Sequence, residues 1–592
     1  MALANRAHSA APVSSERMSS RRLGAAVAGL GGVALTWWLH RPLWAELGAR
    51  LPGEAGSDIF RAHWSLWLAA RHWPDWPMPT QLAAFPSGAD VAPFPGVTLW
   101  LAGPLVQAVG PDVALPLVVA VHVLFAFVAA AWCAGQLGAR AGGRLLAGAL
   151  FATQPVLGGA LRDGTLEMLA AGWMPLVLGA VIAVAAGRLR WIPVAALAYL
   201  ATCLESVYLA SFTALAVLFA LTTVRSRRGL IALAVTGVLV AVGALGLVEV
   251  FGPVLDHVRG AMANAGDELG TLRGENAAQL GLLTELALDP GSRGWQVGFL
   301  WAPPLAHWVA FGLGVFALRK HAWLAVLGAL ALALAADHEA VQLWVDSPLG
   351  EVVRFPRRYV LLTGLAFALL AGVGLRVVPK RAELVVGVLA AAYVAGWGAH
   401  AGGWVNGYPS VELPELTFAQ VLAADSEDAA VLIVPYELPG APEQQRNEAP
   451  VFASLGDDLA SSDLLYLQTR VDKGSLYAPA LLTLAPREGV ELSLPKNLND
   501  LAFASVGQDV PGSAKQDADA YRYELAWLTG EGLKYVVVDE ARYGEDELGW
   551  LEVALKPWTL EKTRYADGTG VLVYRLYFER PARTDPPKER GW

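Results

Sequence analysis

Long apolar runs, almost empty of charge, fill the chain from about residue 23 to about 405 and limit its possible folds more than any other feature. Roughly 20 apolar residues in a helix cross a hydrocarbon core, and only a helix or a closed barrel satisfies its own backbone there. Runs of about this kind lie at about 23–43, 113–136, 144–162, 168–187, 191–204, 207–224, 229–251, 299–318, 322–336, 358–376 and 383–404. The expected fold is an α-helical polytopic membrane protein of about 11 spans with a C-terminal soluble α/β domain.

Composition averages over these two unlike parts. Of 592 residues, 55% are hydrophobic and 16% charged, with a mean hydropathy of +0.43. Soluble domains hold about 25% charged residues, and residues 406–592 look ordinary by that measure, so the deficit belongs to 1–405. The net charge of −9 identifies no partner, and nucleic acid is not expected as one. Cys133 and Cys203 both sit inside apolar runs, where a free cysteine behaves as a small hydrophobe; there is no CxxC and no metal-type Cys/His spacing. Several tryptophans, among them Trp37, Trp38, Trp100, Trp295, Trp301 and Trp404, stand near the ends of runs, as in an interfacial belt.

Segment 96–109 (GVTLWLAGPLVQAV) is short and carries Pro104, so it is expected to be interfacial or re-entrant. With it not spanning, the basic clusters Arg17/Arg21/Arg22, Arg140/Arg144, Arg188/Arg190, Arg225/Arg227/Arg228, Arg319/Lys320 and Arg376/Lys380/Arg381 all fall on one side. The positive-inside rule assigns that side to the cytoplasm. The expected organisation is a cytoplasmic tail at 1–22, a membrane domain at 23–405 with an outer loop at 44–95, an extracytoplasmic α/β domain at 406–580 and a disordered tail at 581–592. The run from Leu23 to Trp44 lacks a small-x-small cleavage site directly after it, so it reads as a retained first helix. The protein is then expected in the cytoplasmic membrane.

This orientation gathers the chemistry outside. In GSDIFRAHWSLWLAARHWPDW, Ser57 suits an N-cap, and Ile59, Phe60, Trp64, Trp67 and Leu68 recur at helical spacing, as on a helix lying at the membrane surface. Asp58 is either a functional acid at the interface or a first-turn acid favoured by the helix dipole. His63 and His72 read as interfacial side chains. In the turn Arg162-Asp163-Gly164-Thr165-Leu166-Glu167, the two acids either share a site or Asp163 only starts a helix beside Arg162. Glu205, in CLESVYL, is an acid between two close-set spans, a functional candidate unless it is merely hydrated at the turn. Arg354, Arg357 and Arg358 form a basic knot where positive charge is disfavoured. A phosphate at headgroup level, matched by guanidinium forks, accounts for it; pairing with Glu351, Asp346 or lipid is the alternative.

These residues together resemble a family. The retained first helix with an acid just beyond it, FPSGADVAPFPG, GTLEMLAAGWMPLVLGAV, LESVYLASF and VVRFPRRYVLLTGLAFALLAGVGL are similar to the outer loops and late helix of GT-C superfamily glycosyltransferases. DAAVLIVPYELPG, Gln444-Gln445 and EGLKYVVVDEARY resemble the small α/β domain of uncharacterised bacterial members. The resemblance implies a polyprenyl-phosphate-linked sugar donor and a glycan, lipid or protein acceptor. It makes Asp58 the catalytic acid, base or metal ligand, Asp163 and Glu167 a second acidic site, and Arg354, Arg357 and Arg358 the carrier-phosphate site, with Glu205, Tyr208 and His63 as substrate contacts. A divalent cation, Mg or Mn, would be held by Asp58, Asp163 and Glu167, although Asp58 stands alone where some members carry a pair of acids. A transporter or lipid flippase, or a non-catalytic envelope protein of the same fold, are the other readings; against the first, acids and arginines gather at one face and no inverted repeat is visible.

Overall fold

The computed structural model describes residues 15–53, 59–75, 78–80, 89–91, 95–162, 164–264, 305–336, 356–401, 408, 410–413, 416–425, 429–434, 468, 470, 474–475, 484–486, 525–530, 532–540, 545–565 and 570–577. Asp58, Asp163 and Arg354, the side chain of Arg357 and the 581–592 tail lie outside these residues.

Each expected span is helical in its described part. The membrane helices are α1 (Ser15–Leu39), followed by the short α2 (Arg41–Ala45), then α3 (Ile59–His72), α4 (Gly96–Val109), α5 (Pro111–Gln136), α6 (Ala141–Ala152), α7 (Pro155–Arg162), α8 (Leu166–Leu169), α9 (Trp173–Ala185), α10 (Ile192–Glu205), α11 (Val207–Ala220), α12 (Arg227–Asn264), α13 (Leu305–Gly312), α14 (Leu318–Ala335), α15 (Val360–Gly374) and α16 (Lys380–Ala401). α1 begins at Ser15, so part of the expected N-terminal tail is helical.

Five stretches are individually long and apolar enough to cross a membrane, and α6 with α7, bent by 41°, makes a sixth. The chain is a multi-pass membrane protein. One of the five, His307–Ala335, folds back on itself. Trp308 lies 6.2 Å from the Phe367 ring, and Gly328 packs against the same ring. Twenty residues of straight helix would separate those positions by about 30 Å. The chain therefore reverses near His321, whose φ of −131° and ψ of 31° break the helix, and α13 and α14 are two passages.

The helices meet through glycines. A Cβ added at Gly143 would strike the Gly372 carbonyl, one at Gly142 the Glu383 carbonyl, and one at Gly374 the Leu313 carbonyl. In lipid, where apolar side chains gain nothing by leaving their surroundings, such close backbone approach supplies the packing.

The bundle has two chemically distinct ends. At one, Arg144 packs beside Gly24 and Gly135, Arg376 beside Gly138 and Arg228 beside Gly187, Arg188 donates to Gln136 at 2.7 Å, and Lys320, Arg376 and Arg225 act together on His321. The basic clusters of the loops are thus collected in space. At the opposite end the C-terminal part of the chain docks. β1 (Arg50–Pro52) pairs antiparallel with β4 (Ser410–Glu412), and β2 (Met78–Thr80) pairs with β3 (Ala89–Val91), which pairs with β7 (Leu484–Pro486). The first loop and the C-terminal part share sheets.

Beyond β4, the helix α17 (Thr417–Ala424) precedes a five-stranded sheet of order β6-β5-β8-β10-β9, with α18 (Glu545–Leu555) beside it. β5 (Ala430–Val434) runs parallel to β6 (Gly474–Ser475) and β8 (Leu533–Asp539), while β10 (Val571–Leu576) runs antiparallel to β8 and β9 (Thr559–Tyr565). Val536, Val537, Val538, Leu551, Phe418 and Leu572 fill its core. This is the expected α/β pattern.

Candidate active site

α4, the segment on which the expected span count turned, is a 14-residue apolar helix folded back against α5. Thr98, in its first turn, donates from Oγ1 to Glu205 and faces His122 Nε2 at 3.0 Å. His122 lies eleven residues along α5, about 16 Å from that helix's start. α4 thus starts level with His122 and runs beside only the first part of α5.

α3 differs from the surface helix expected. Every residue from Ile59 to Ala69 except Arg61 is buried, including the polar His63 and Ser65. Gln107 of α4 donates to Ala70 O at 2.7 Å on one side, and Trp64 Nε1 donates to Gln468 Oε1 at 2.8 Å on the other. The C-terminal part of the chain covers the face that sequence assigned to water. His63, expected to be interfacial, is fully buried, with Nε2 2.7 Å from Asp112 Oδ1, while Arg470 Nη2 donates to the same oxygen at 3.0 Å. Burial pushes the imidazole below its ordinary value and Asp112 pulls it back; the neutral ring with its proton on Nε2 suits this bond.

The second outer turn is shaped by glycine. Gly164 has φ +70°, open to glycine at little cost; its N–H bonds Leu161 O at 3.1 Å and Thr165 N–H bonds Ala160 O at 2.7 Å, closing α7 with a Schellman motif. Glu167 follows in the first turn of α8. A short 3-10 turn, Pro356–Tyr359, delivers Arg358 to it from the far part of the chain.

There three expected residues converge. Arg358 is 5% exposed, its Nη1 3.6 Å from Glu167 Oε1, and its Cζ 4.6 Å from the centre of the Tyr208 ring. The face of the guanidinium rests on an aromatic ring and its edge points toward a carboxylate. Tyr359, 1% exposed, packs 4.5 Å from Phe212, one turn along α11 from Tyr208.

Glu205 stands beside this cradle, 1% exposed. Its Oε2 accepts from Thr98 N at 3.2 Å; its Oε1 accepts from Thr98 Oγ1 at 2.8 Å and from Trp173 Nε1 at 3.0 Å. Charge in an apolar setting marked Glu205, but nothing in its own neighbourhood of sequence pointed to Thr98 or Trp173. The partners of His63 were missed likewise, although Pro111-Asp112 has the proline and acid of a helix start.

Gly53 and Ile59, the described residues on either side of 54–58, lie at the same end. Gly53, with φ +135°, and Ile59 bracket 54–58; a Cβ at Gly53 would stand 3.2 Å from Ile59 Cβ and 3.4 Å from Leu161 O, at the start of the second outer turn. Among the described residues, no three His, Cys, Asp or Glu side chains gather as metal ligands. Asp58 and Asp163, two of the three residues expected to hold a cation, lie outside the described residues.

The mycobacterial arabinofuranosyltransferase AftD superimposes with a TM-score of 0.54 at 15% identity, over 95% of this chain and 40% of AftD. The chain has the GT-C fold. Other GT-C structures align over nearly the whole chain. The oligosaccharyltransferase AglB of Archaeoglobus fulgidus, solved with an inhibitory peptide and a dolichol-phosphate, has a TM-score of 0.44 at 11% identity, covering 97% of this chain and 76% of AglB. ArnT of Cupriavidus metallidurans, solved with undecaprenyl phosphate, has 0.47 at 13%, covering 93% of this chain and 98% of ArnT. The chain spans about two-fifths of AftD's length. No family model matches the sequence, and neither does any curated protein.

Proposed function

We propose that the chain transfers a sugar from a polyprenyl-phosphate carrier to an acceptor hydroxyl at the outer face of the cytoplasmic membrane, with inversion. The observation that carries this is the buried Arg358 guanidinium between Glu167 and Tyr208, at the end of a GT-C bundle opposite its basic clusters. A guanidinium at that depth needs an anion, and its planar fork suits two phosphate oxygens while its face stays on the ring. The positive-inside rule puts the arginine-rich end in the cytoplasm and this site outside. The fold shared with AftD supports sugar transfer as the chemistry.

In this reading Arg358, with Arg354 and Arg357 near it in sequence, holds the carrier phosphate. Asp58 removes the acceptor proton, the hydroxyl oxygen attacks the anomeric carbon, and the bond from that carbon to the phosphate oxygen breaks, leaving both electrons on the phosphate. Because phosphate is already a good leaving group, one carboxylate suffices. Retention would demand a second, close carboxylate acting as nucleophile.

The test is the release of undecaprenyl phosphate from a panel of undecaprenyl-phosphate-linked pentoses and hexoses by the purified protein in lipid. Asp58→Asn should lower release by about 10²–10⁴-fold, the usual worth of a general base. Arg358→Gln should weaken binding of undecaprenyl phosphate. Undiminished release by Asp58→Asn would remove the assigned chemistry.

A further inference from the structure

We infer that Glu205 is the positioning residue of this site: a buried carboxyl group that ties α4 to the chain segments carrying both supports of Arg358. The inference rests on the reading of Arg358 as the carrier-phosphate site and deepens it.

Three groups hydrogen-bond Glu205: the Thr98 amide, the Thr98 hydroxyl and the Trp173 indole. A carboxylate accepts from all three. An amide in its place would turn an N–H toward either the Thr98 N–H or the Trp173 N–H. Taking a carboxylate out of water is costly, and among the described residues these donors, rather than a lysine or arginine, compensate it. The first of them is also the start of a helix. Pro95, which precedes α4, makes no side-chain cap, and Glu205 supplies it from another helix, where the positive end of the helix dipole favours an anion.

Thr98 Oγ1 also stands 3.0 Å from His122 Nε2, so a series of bonds joins His122, Thr98 and Glu205. It links α5, α4 and α10. The other arm links α9: Trp173 opens that helix six residues after Glu167, while Tyr208 follows Glu205 by three, across the extended Ser206 (φ −165°, ψ 132°). Glu167 and Tyr208 are the two groups on which Arg358 rests. Both therefore lead back, within one or two turns of chain, to the same carboxylate. Without it, the edge and face supports of the guanidinium lose their common reference.

Binding of undecaprenyl phosphate to the purified full chain in nanodiscs tests this. Glu205→Gln keeps the shape but turns an NH₂ toward a donor, and should weaken binding about ten- to a hundredfold, the range for a buried hydrogen-bonded charge. Trp173→Phe and Thr98→Val each remove one donor and should give smaller losses in the same direction; they decide the matter if Glu205→Gln does not fold. The effect should vanish in an Arg358→Gln background, because it acts through Arg358. A loss that adds fully to that of Arg358→Gln would show a merely structural role and overturn the inference. Wild-type binding by the Glu205, Trp173 and Thr98 variants, with Arg358→Gln defective, would overturn it and leave the site standing. Wild-type binding by Arg358→Gln would remove the site, and the inference with it.

Discussion

His63 and Asp112 are 49 residues apart in the chain, and Arg470 lies 358 residues beyond Asp112, yet one carboxylate oxygen joins them. Charge out of place is what a sequence displays at this scale. Glu167, Glu205 and Arg358 were visible because an acid in an apolar run, or an arginine at the end disfavoured for it, demands a reason. The partner that supplies the reason is set by tertiary contact, so Thr98, Trp173 and Asp112 stayed hidden. The buried imidazole also makes a pH dependence. Its folded value lies below the ordinary 6.5, so the unfolded chain binds the proton more readily, and stability falls as pH drops below about 6.5. Asp112 opposes this shift and Arg470 adds to it. Thermal unfolding in detergent between pH 7.5 and 5.5 should show the loss, at most about 1.4 kcal/mol per pH unit from one proton, with His63→Gln showing a flatter dependence.

At the scale of elements, hydropathy located the apolar helices, since a long apolar run in lipid has only the helix open to it. It also flagged 96–109 as too short, and Thr98 beside His122 gives the geometry of that shortness. Periodicity was less informative for α3. It finds a face that prefers apolar company but says nothing about what covers the other face, here Gln468 and Arg470. The reversal near His321 was legible from Arg319 and Lys320, which interrupt an otherwise continuous apolar stretch. The glycines at crossings were not legible, because a contact between α6 and α15 involves residues more than 200 apart. Gly143→Ala should cost about 1–3 kcal/mol, as other overpacked positions do, seen as a lower melting temperature in detergent. Gly396, with nothing near its added Cβ, should tolerate the same change.

Across the whole molecule, six basic clusters separated by hundreds of residues were placed on one side by counting spans, and described members of five of them, Arg144, Arg188, Arg228, Lys320 and Arg376, gather at one end of the bundle. Leu560, 58% exposed in β9, lies in the part docked at the opposite end, and Arg227 is exposed at the basic end. In intact cells a membrane-impermeant maleimide should label Leu560→Cys at once and Arg227→Cys only after permeabilisation; the reverse order would invert the assigned sidedness. The α/β domain was legible as a pattern, but not its attachment: β3 lies between β2 of the first loop and β7 of the C-terminal part, and β1 takes β4 as its neighbour. Because those ladders cross from one part of the chain to the other, the C-terminal third is no detachable accessory. Cutting it away would strip hydrogen-bond partners from β1 and β3 and bare the indole of Trp64, so a deletion would disturb the first loop along with whatever the missing third does itself.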